Sequence, residues 1–271
     1  MRYSKLVIYL VLVLATAATL FPLVWMVSVS LMPPADALRY PPPLWPKAPT
    51  LEHYRALFDR LAVARYALNS LVLAAAVTAL SVLVNAAAGY AFACLTFMGR
   101  DRLFQLLLAA MVIPGQVAML PLFLLLKLLG LVNTYAGVIV PGLASIFGIF
   151  LVRQYALSLP QGLLDAARLD GAGELRIFWS LVLPLCRPVL ITLAVFTFLG
   201  SWNDFLWPLI ILTDSRLHTL PVALAVLMGE HAVDTELMMA GAALTVVPVI
   251  VLFLAAQRYY LGGLMQGGIK G

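Results

Sequence analysis

Long apolar runs with at most one charged residue each restrict the fold of this chain more than any other feature. Six runs are long enough for a helix to cross a hydrocarbon core, which takes about 20 mostly apolar residues. They lie at residues 6–31, 66–95, 103–126, 135–157, 188–213 and 237–260. Hydrophobic residues make up 63% of the sequence and charged residues 11%, which excludes an ordinary soluble domain. The sequence therefore predicts an all-α polytopic membrane protein with six transmembrane helices.

The segments between the runs complete a predicted single membrane domain of residues 1–271. A proline-rich outer loop occupies residues 32–65, a charged segment occupies residues 158–184, and a short tail occupies residues 262–271. The first run also has a feature of a signal peptide, the small-residue pattern Ala15-Thr16-Ala17, but its length favours a retained span. No room is left for an ATPase domain of the usual size, so we expect any chemical energy to come from another chain.

The distribution of basic residues predicts the orientation. An even number of spans places both termini on one side, and a cytoplasmic placement assigns ten of the 17 basic residues to the inner segments, as Lys and Arg prefer. The net charge of +5 is spread over loop ends rather than gathered on one face, which argues against a nucleic-acid partner. We therefore predict a multi-pass protein of the cell (inner) membrane with both termini in the cytoplasm.

Catalytic and metal-binding patterns are absent from the sequence. The three histidines, His53, His218 and His231, fall in predicted outer loops without the spacing of metal ligands. No glycine-rich phosphate loop follows a strand pattern. We therefore expect a protein that is not an enzyme and that binds no cofactor or metal itself.

The segment at residues 158–184 is a charged, amphipathic island between two apolar runs. Its charges exclude it from lipid, and Gly171 separates two predicted short helices. Apolar residues with the i, i+3, i+4, i+7 spacing of one buried helical face follow this glycine: Leu175, Phe178, Trp179 and Val182. Such a segment suits contact with a partner protein, although an ordinary amphipathic segment on the inner surface has the same pattern.

One carboxylate lies inside a predicted span. Asp204 precedes the outer end of the run at 188–213 by about 14 Å of helix, a depth at which charge is costly unless it meets water or a partner. On a continuous helix, Asn203 and Trp207 share one face, and Asp204 lies on the adjacent face. Polar groups beside indole rings suit a sugar, so Trp202, Asn203, Asp204 and Trp207 are candidates for lining a solute pathway. An aromatic belt and a carboxylate paired with a neighbouring helix explain the same residues.

Other polar and helix-breaking residues also fall inside the runs. Six prolines predict kinks in the helices: Pro22, Pro114, Pro121, Pro141, Pro208 and Pro248. Asn85 and Gln116 are weaker pathway candidates, because hydrogen bonds between helices account for either one. The runs therefore predict a bundle with a non-uniform interior.

These motifs together resemble a known family. The charged island contains Asp165-Ala166-Ala167, then Gly171 and Leu183-Pro184, at the intervals of the EAA coupling loop in permease subunits of ABC importers. The rest of the chain looks like the maltose-type branch of carbohydrate-uptake permeases. The matching stretches are Asn69-Ser70, Asn133-Thr134 and residues 89–93, 111–114, 202–209 and 267–271.

The resemblance implies partners and a task. A second, related permease subunit would complete the pathway as a heterodimer, two ATPase subunits would bind the cytoplasmic face, and an extracytoplasmic solute-binding protein would deliver the solute. ATP and Mg would be used by the ATPase subunits. The chain would then move a sugar or related polar solute by alternating access. The alternative is an ion-coupled secondary transporter that uses Asp204.

The resemblance also assigns roles to particular residues. In the coupling loop, the residues implied to serve the ATPase are Asp165, Ala166, Ala167, Arg168, Asp170, Gly171 and Glu174. In the tail, Lys270 and Gly271 are implied ATPase contacts. The sequence departs from the family pattern at Asp165, where Glu is usual, and at Cys94, where Arg is common.

Overall fold

In the computed structural model, which describes residues 2–37, 39, 43–59, 62–230 and 234–267, every regular element within those ranges is a helix. Three helices are long and apolar enough to cross a membrane alone: Lys5–Ser30, Val63–Cys94 and Thr235–Ala255. They coincide closely with three of the predicted spans. The prediction of an all-α membrane protein is confirmed.

Three further segments each consist of two helices joined at a sharp break. They are Arg100–Ala110 with Gly115–Leu128, bent by 96°; Tyr135–Gly142 with Ile146–Ala156, bent by 41°; and Glu174–Leu185 with Arg187–Trp202, bent by 79°. The structure has six spans if each bent pair is counted as one. The count of six spans stays a prediction.

Proline residues stand at or next to these breaks. Pro114 lies in the first break, directly before the 3-10 turn Gly115–Ala118, and Pro141 lies in the turn Val140–Gly142 of the second pair. Pro188 lies in the first turn of Arg187–Trp202. A proline lacks the N–H of a helical hydrogen bond and disfavours helix at the residue before it, so each one marks a boundary.

The predicted span at residues 188–213 differs most from the structure. Its helix ends at Trp202, the chain turns at residues 203–205, and a second helix runs over Leu206–Ile211. Pro208 lies in the first turn of this short helix, where its missing N–H has no cost. In a continuous helix the proline ring would clash with the carbonyl of residue 204. The prediction that Asn203 and Trp207 share one helical face was therefore wrong.

The chain divides into two compact units. The first comprises Met1–Tyr66 and Leu220–Ile250. Within it, His53 Nε2 lies 2.8 Å from the carbonyl oxygen of Met32, and the hydroxyls of Ser30 and Tyr54 are 2.8 Å apart. These contacts hold the short helix Glu52–Asp59 against the end of the helix Arg2–Ser30. The part of the predicted loop 32–65 around Glu52–Asp59 therefore packs on the unit's own helix.

The second unit comprises Ala67–Thr219 and Val251–Gly271 and contains the three bent pairs. The other helices among the described residues of the chain are Pro34–Ala37, Gln161–Leu169, Ser215–Leu217 and Leu220–Glu230. The single domain predicted for residues 1–271 stays a prediction.

The last helix, Thr235–Gly267, extends further than the sequence predicts. Residues 262–267 belong to this helix, although the sequence predicts that they are part of a tail after the last span. The two predicted ATPase contacts of the tail, Lys270 and Gly271, lie outside the described residues.

Candidate functional site

The charged island forms a compact helical turn around Gly171. The helix Gln161–Leu169 ends in a Schellman motif: the Gly171 N–H donates to the Arg168 carbonyl at 3.0 Å, and the Ala172 N–H donates to the Ala167 carbonyl at 3.0 Å. Gly171 has a φ of 82°, which side-chain-bearing residues rarely adopt. No atom lies within 4 Å of the place that a Cβ would occupy, so the requirement for glycine comes from the backbone alone.

Three of the predicted coupling residues are joined by one guanidinium group. Arg168 donates from Nε to Glu174 Oε1 at 2.8 Å and from Nη1 to Asp165 Oδ1 at 2.9 Å. The hydroxyl of Tyr90, which is buried in the helix Val63–Cys94, donates to Glu174 Oε2. The hydrogen bonds to Glu174 and then Asp165 raise the pKa of the Arg168 side chain above its usual value. The loop's charges are therefore largely paired with one another.

Apolar contacts attach the same loop to the helices around it. Leu164 is completely buried, and the ring of Phe178 packs against that of Tyr90 with centroids 5.8 Å apart. A cluster of buried side chains continues this contact along the second unit: Ala86, Tyr90, Ala93, Ala156, Leu159, Leu164, Ile177, Phe178, Val182, Cys186 and Val189. The loop thus lies on a packed base rather than standing free.

The buried face after Gly171 differs from the predicted one. Phe178 and Val182 are buried as predicted, but Leu175 is 78% exposed and Trp179 is 56% exposed. The reason is a π-helical turn at Phe178–Val182, whose i→i+5 hydrogen bonds hold more residues per turn than an α-helix. This turn moves the buried face onto Ile177, and the prediction that Leu175 and Trp179 are buried was wrong.

The remaining predicted coupling residues lie on the helix Gln161–Leu169 or at its C-terminal end. Ala166 and Asp170 are exposed, and Ala167 is half-buried. Sequence reasoning missed Tyr90, which it quoted only within a matching stretch. The sequence signal that could have found it is a tyrosine inside an apolar run, because a buried tyrosine hydroxyl usually needs a hydrogen-bond partner.

A second candidate site is a cavity of about 510 Å³ in the second unit. Its polar lining comes from Ser81, Gln116, Ser145, Thr197, Ser201 and Asp204. Aromatic side chains also line it, among them Phe147, Phe196 and Trp207. Within the described part of the chain, Asp204 is the one ionisable group of this lining, and no basic side chain contributes to it. Hydroxyl, amide and carboxylate groups beside aromatic rings can bind a hydroxyl-rich solute.

The four predicted pathway residues separate into two pairs. Asp204 and Trp207 line the cavity. Trp202 is buried and stacks on Phe198 with ring centroids 6.0 Å apart, and Asn203 is exposed and donates from Nδ2 to the Leu199 carbonyl at 2.8 Å. Trp202 and Asn203 therefore do not line the cavity: the lining positions of this segment are spaced three or four residues apart and include Ser201 and Asp204, and the two residues between these lie on other faces.

Backbone contacts fix the cavity wall at Trp207. The indole N–H donates to the Gly137 carbonyl at 3.2 Å, and the backbone N–H of Trp207 donates to Asp204 Oδ1 at 3.4 Å. Gly137 has no space for a side chain, since a Cβ there would lie 2.3 Å from the Leu131 carbonyl oxygen. The indole therefore presents its ring to the cavity while its polar N–H is already used.

The two weaker pathway candidates, Asn85 and Gln116, also have different surroundings. Asn85 is completely buried; it donates to the Ser81 hydroxyl at 2.8 Å and accepts from the Ser145 N–H at 2.9 Å. Gln116 lines the cavity. Asn85 therefore serves helix packing, which is the role that hydrogen bonding between helices suggests for it.

The fold of this chain is that of an ABC importer permease. The crystal structure of a bacterial ABC transporter involved in the import of the acidic polysaccharide alginate matches it with a TM-score of 0.85 and 23% sequence identity, over 96% of this chain and 97% of that one. Residues 1–261 match the family described as the binding-protein-dependent transport system inner membrane component, and the chain belongs to this family.

Individual relatives cover between 73% and 99% of the chain. It is 39% identical to the arabinooligosaccharides transport system permease protein AraQ of Halalkalibacterium halodurans, over 93% of this chain and 91% of that protein. It is 32% identical to the lactose transport system permease protein LacG of Rhizobium radiobacter, over 99% and 97%. It is 35% identical to the sn-glycerol-3-phosphate transport system permease protein UgpE of Yersinia pestis, over 73% and 72%.

These relatives place the chain in a class. It is a permease component of a binding-protein-dependent transport system in the inner membrane, and it is a transport component rather than an enzyme. Permeases of this kind work with ATPase and solute-binding subunits. The alternative of an ion-coupled secondary transporter is not supported.

Proposed function

We propose that this chain lines one half of the pathway of an ATP-driven importer for a sugar or a related uncharged polar solute. The cavity lined by Asp204 and Trp207 carries this proposal, because it combines hydroxyl groups, a carboxylate and aromatic rings, and no described residue adds a basic side chain to it. The arabinooligosaccharide and lactose permeases among the relatives support a saccharide. In this role Asp204 accepts hydrogen bonds from the solute, and Trp207 offers its ring as an apolar platform.

A second, related permease subunit completes the pathway in this proposal, as a heterodimer with this chain. An extracytoplasmic binding protein delivers the solute, and two ATPase subunits bind and hydrolyse ATP with Mg on the cytoplasmic side. This chain itself binds no cofactor. Alternating access then follows from the two states that the ATPase cycle imposes on the paired permeases.

The loop at residues 158–184 is the proposed ATPase contact. Its surface presents large apolar side chains, the most exposed of which are Leu169 at 89%, Leu175 at 78% and Trp179 at 56%. Exposed apolar groups beside charged ones are typical of a protein interface. Asp165, Ala166 and Asp170 are also exposed in this loop; the two carboxylates serve as polar contacts, and Ala166 allows close approach of the partner.

The orientation of the chain in the membrane follows if the loop at residues 158–184 contacts the ATPase. An ATPase contact places the loop at residues 158–184 in the cytoplasm, and six spans then place both termini there as well. The excess of basic residues in the inner segments supports the same orientation. The tail, with Lys270 and Gly271, then lies on the ATPase side and is proposed to contact it.

Reconstitution of the complete importer tests the proposal. The chain is co-expressed with candidate ATPase, permease and binding-protein partners, purified, and placed in liposomes with arabinotriose, lactose or glycerol 3-phosphate as labelled solutes. We expect an ATPase subunit to co-purify and ATP to drive uptake of one of the two uncharged saccharides but not of the anion. Failure of any ATPase subunit to co-purify would contradict the proposal, as would uptake that follows an ion gradient without ATP.

A further inference from the structure

The buried hydroxyl of Tyr90 links a membrane-length helix to the coupling loop. Tyr90 lies four residues before the end of Val63–Cys94, is 3% exposed, and donates to the carboxylate of Glu174. Glu174 is the first residue of the helix Glu174–Ile177, directly after the turn at Gly171. The hydrogen bond therefore joins two segments that are separated by 84 residues in sequence.

The same carboxylate is held from its other side by the loop itself. Arg168 reaches Glu174 from the preceding helix at 2.8 Å, and its Nη2 lies 3.5 Å from the carbonyl oxygen of Cys94, the last residue of the long helix. Arg168 and Glu174 therefore each contact both the loop and the long helix. A charge-assisted hydrogen bond is roughly twice as strong as a neutral one, so this connection is stiff compared with apolar contact alone.

The apolar packing beneath the loop does not replace this connection. Leu164, Ile177 and Phe178 hold the loop against its base, but the hydrophobic effect that drives their burial is non-directional. The Tyr90 hydroxyl provides a contact of fixed direction. The Tyr90–Glu174 hydrogen bond is therefore a directional contact between the turn at Gly171 and the end of Val63–Cys94.

We propose that Tyr90 is a positioning residue for energy coupling, whose hydroxyl transmits movement of the coupling loop to the helix Val63–Cys94 through Glu174 and Arg168. This inference rests on the proposed function of the loop. It also changes the expected role of Glu174 and Arg168, which act within this chain rather than as contacts to the ATPase.

The test is Tyr90→Phe in the reconstituted importer, with the saccharide that the wild-type complex transports as the probe. The variant keeps the ring that packs on Phe178 and loses only the hydroxyl. We expect normal co-purification of the ATPase and normal ATP hydrolysis, with a fall of about three- to tenfold in solute taken up per ATP hydrolysed, the range for one typical intramolecular hydrogen bond.

Two controls make the test specific. Tyr155→Phe makes the same change at a tyrosine packed against the same cluster, where no hydrogen bond of its hydroxyl is present among the described residues, and it should leave the coupling ratio unchanged. A double-mutant cycle of Tyr90→Phe with Glu174→Ala should show that the two effects are not additive, because both remove one connection.

The outcomes separate this inference from the proposed function. A wild-type complex without an ATPase subunit would contradict the proposed function, whatever Tyr90→Phe does. A coupled wild-type complex in which Tyr90→Phe lowers uptake, hydrolysis and co-purification equally would reduce Tyr90 to a packing role and overturn the inference. An unchanged coupling ratio, or additive effects with Glu174→Ala, would overturn it as well.

Discussion

Two carboxylates lie at opposite ends of one bent segment, and their surroundings differ. Glu174 begins the segment, and its two oxygens receive hydrogen bonds from Arg168 and Tyr90. Asp204 follows the segment's end, accepts a long backbone hydrogen bond of 3.4 Å from Trp207, and lines a cavity. Both carboxylates stand at a break between helices, but one is bonded by side chains of its own chain and the other faces open space.

This difference indicates different tasks for the two breaks. A carboxylate held by a guanidinium and a phenol fixes the relative position of the elements that carry them. A carboxylate that faces a cavity keeps acceptor capacity for a solute. The first arrangement suits transmission of movement and the second suits contact with the cargo, so substitutions at the two breaks should affect different measurements.

The largest effect is expected at the turn of the coupling loop. In Gly171→Pro the ring would hold φ near −65° instead of 82° and remove the N–H that donates to the Arg168 carbonyl, at a cost of about 3 kcal/mol or more. Solute-stimulated ATP hydrolysis of the assembled importer should fall by about a hundredfold. Gly162→Ala is the matched control, because a Cβ there meets no atom within 4 Å and the residue lies in a regular helix. Intact coupling in Gly171→Pro would break the assignment of this loop.

The apolar surface of the loop should produce the next largest effect. Leu175→Ser should weaken association with the ATPase by about tenfold or more, since burying a leucine side chain contributes about 1.5 to 3 kcal/mol. The thermal stability of the purified chain should hardly change, because Leu175 is 78% exposed. Leu44→Ser is the control, a leucine of similar exposure in the predicted outer loop. Equal weakening by both substitutions would mean that the effect is not local to the coupling loop.

The sequence predicts the coupling loop better than the cavity, for physical reasons that particular residues make clear. Gly171 signals its turn directly, because few other residues adopt the required φ. The exposure of Leu175 was not predictable from 3.6-residue spacing, because the π-helical turn changes that spacing locally. The Tyr90–Glu174 contact spans 84 residues and depends on how the helices pack.

The break before Trp207 was open to prediction from the sequence. Hydropathy alone joins residues 188–213 into one run. However, Pro208 follows the turn-favouring pair Asn203-Asp204 by four residues, and this combination is a helix-boundary signal. Giving more weight to Pro208 would have separated Asn203 from Trp207 and placed Asp204 in the turn. The cavity itself could not be predicted, because its walls come from four regions of the chain that only the fold brings together.

A smaller effect is expected when the cavity wall loses the hydrogen bond of the Trp207 indole. Trp207→Phe removes the N–H that donates to the Gly137 carbonyl in a buried cluster, which should destabilise the purified chain by about 1 to 2 kcal/mol. The measurement is the thermal unfolding midpoint in detergent. Trp179→Phe makes the same change at a 56% exposed indole and should leave the midpoint unchanged. Equal midpoints for Trp207→Phe and wild type would show that the wall does not depend on this hydrogen bond.

The smallest effect distinguishes contact with the solute from helix packing at Asp204. Asp204→Asn keeps the shape and an acceptor oxygen but loses the charge that strengthens a hydrogen bond from a solute hydroxyl, so uptake should fall about three- to fivefold while assembly stays normal. Asp214→Asn is the control: Arg216 at 2.7 Å lowers the pKa of Asp214 to about 2, but such an exposed pair contributes little. An equal loss of uptake and assembly in Asp204→Asn would assign this carboxylate to packing and remove the contrast with Glu174.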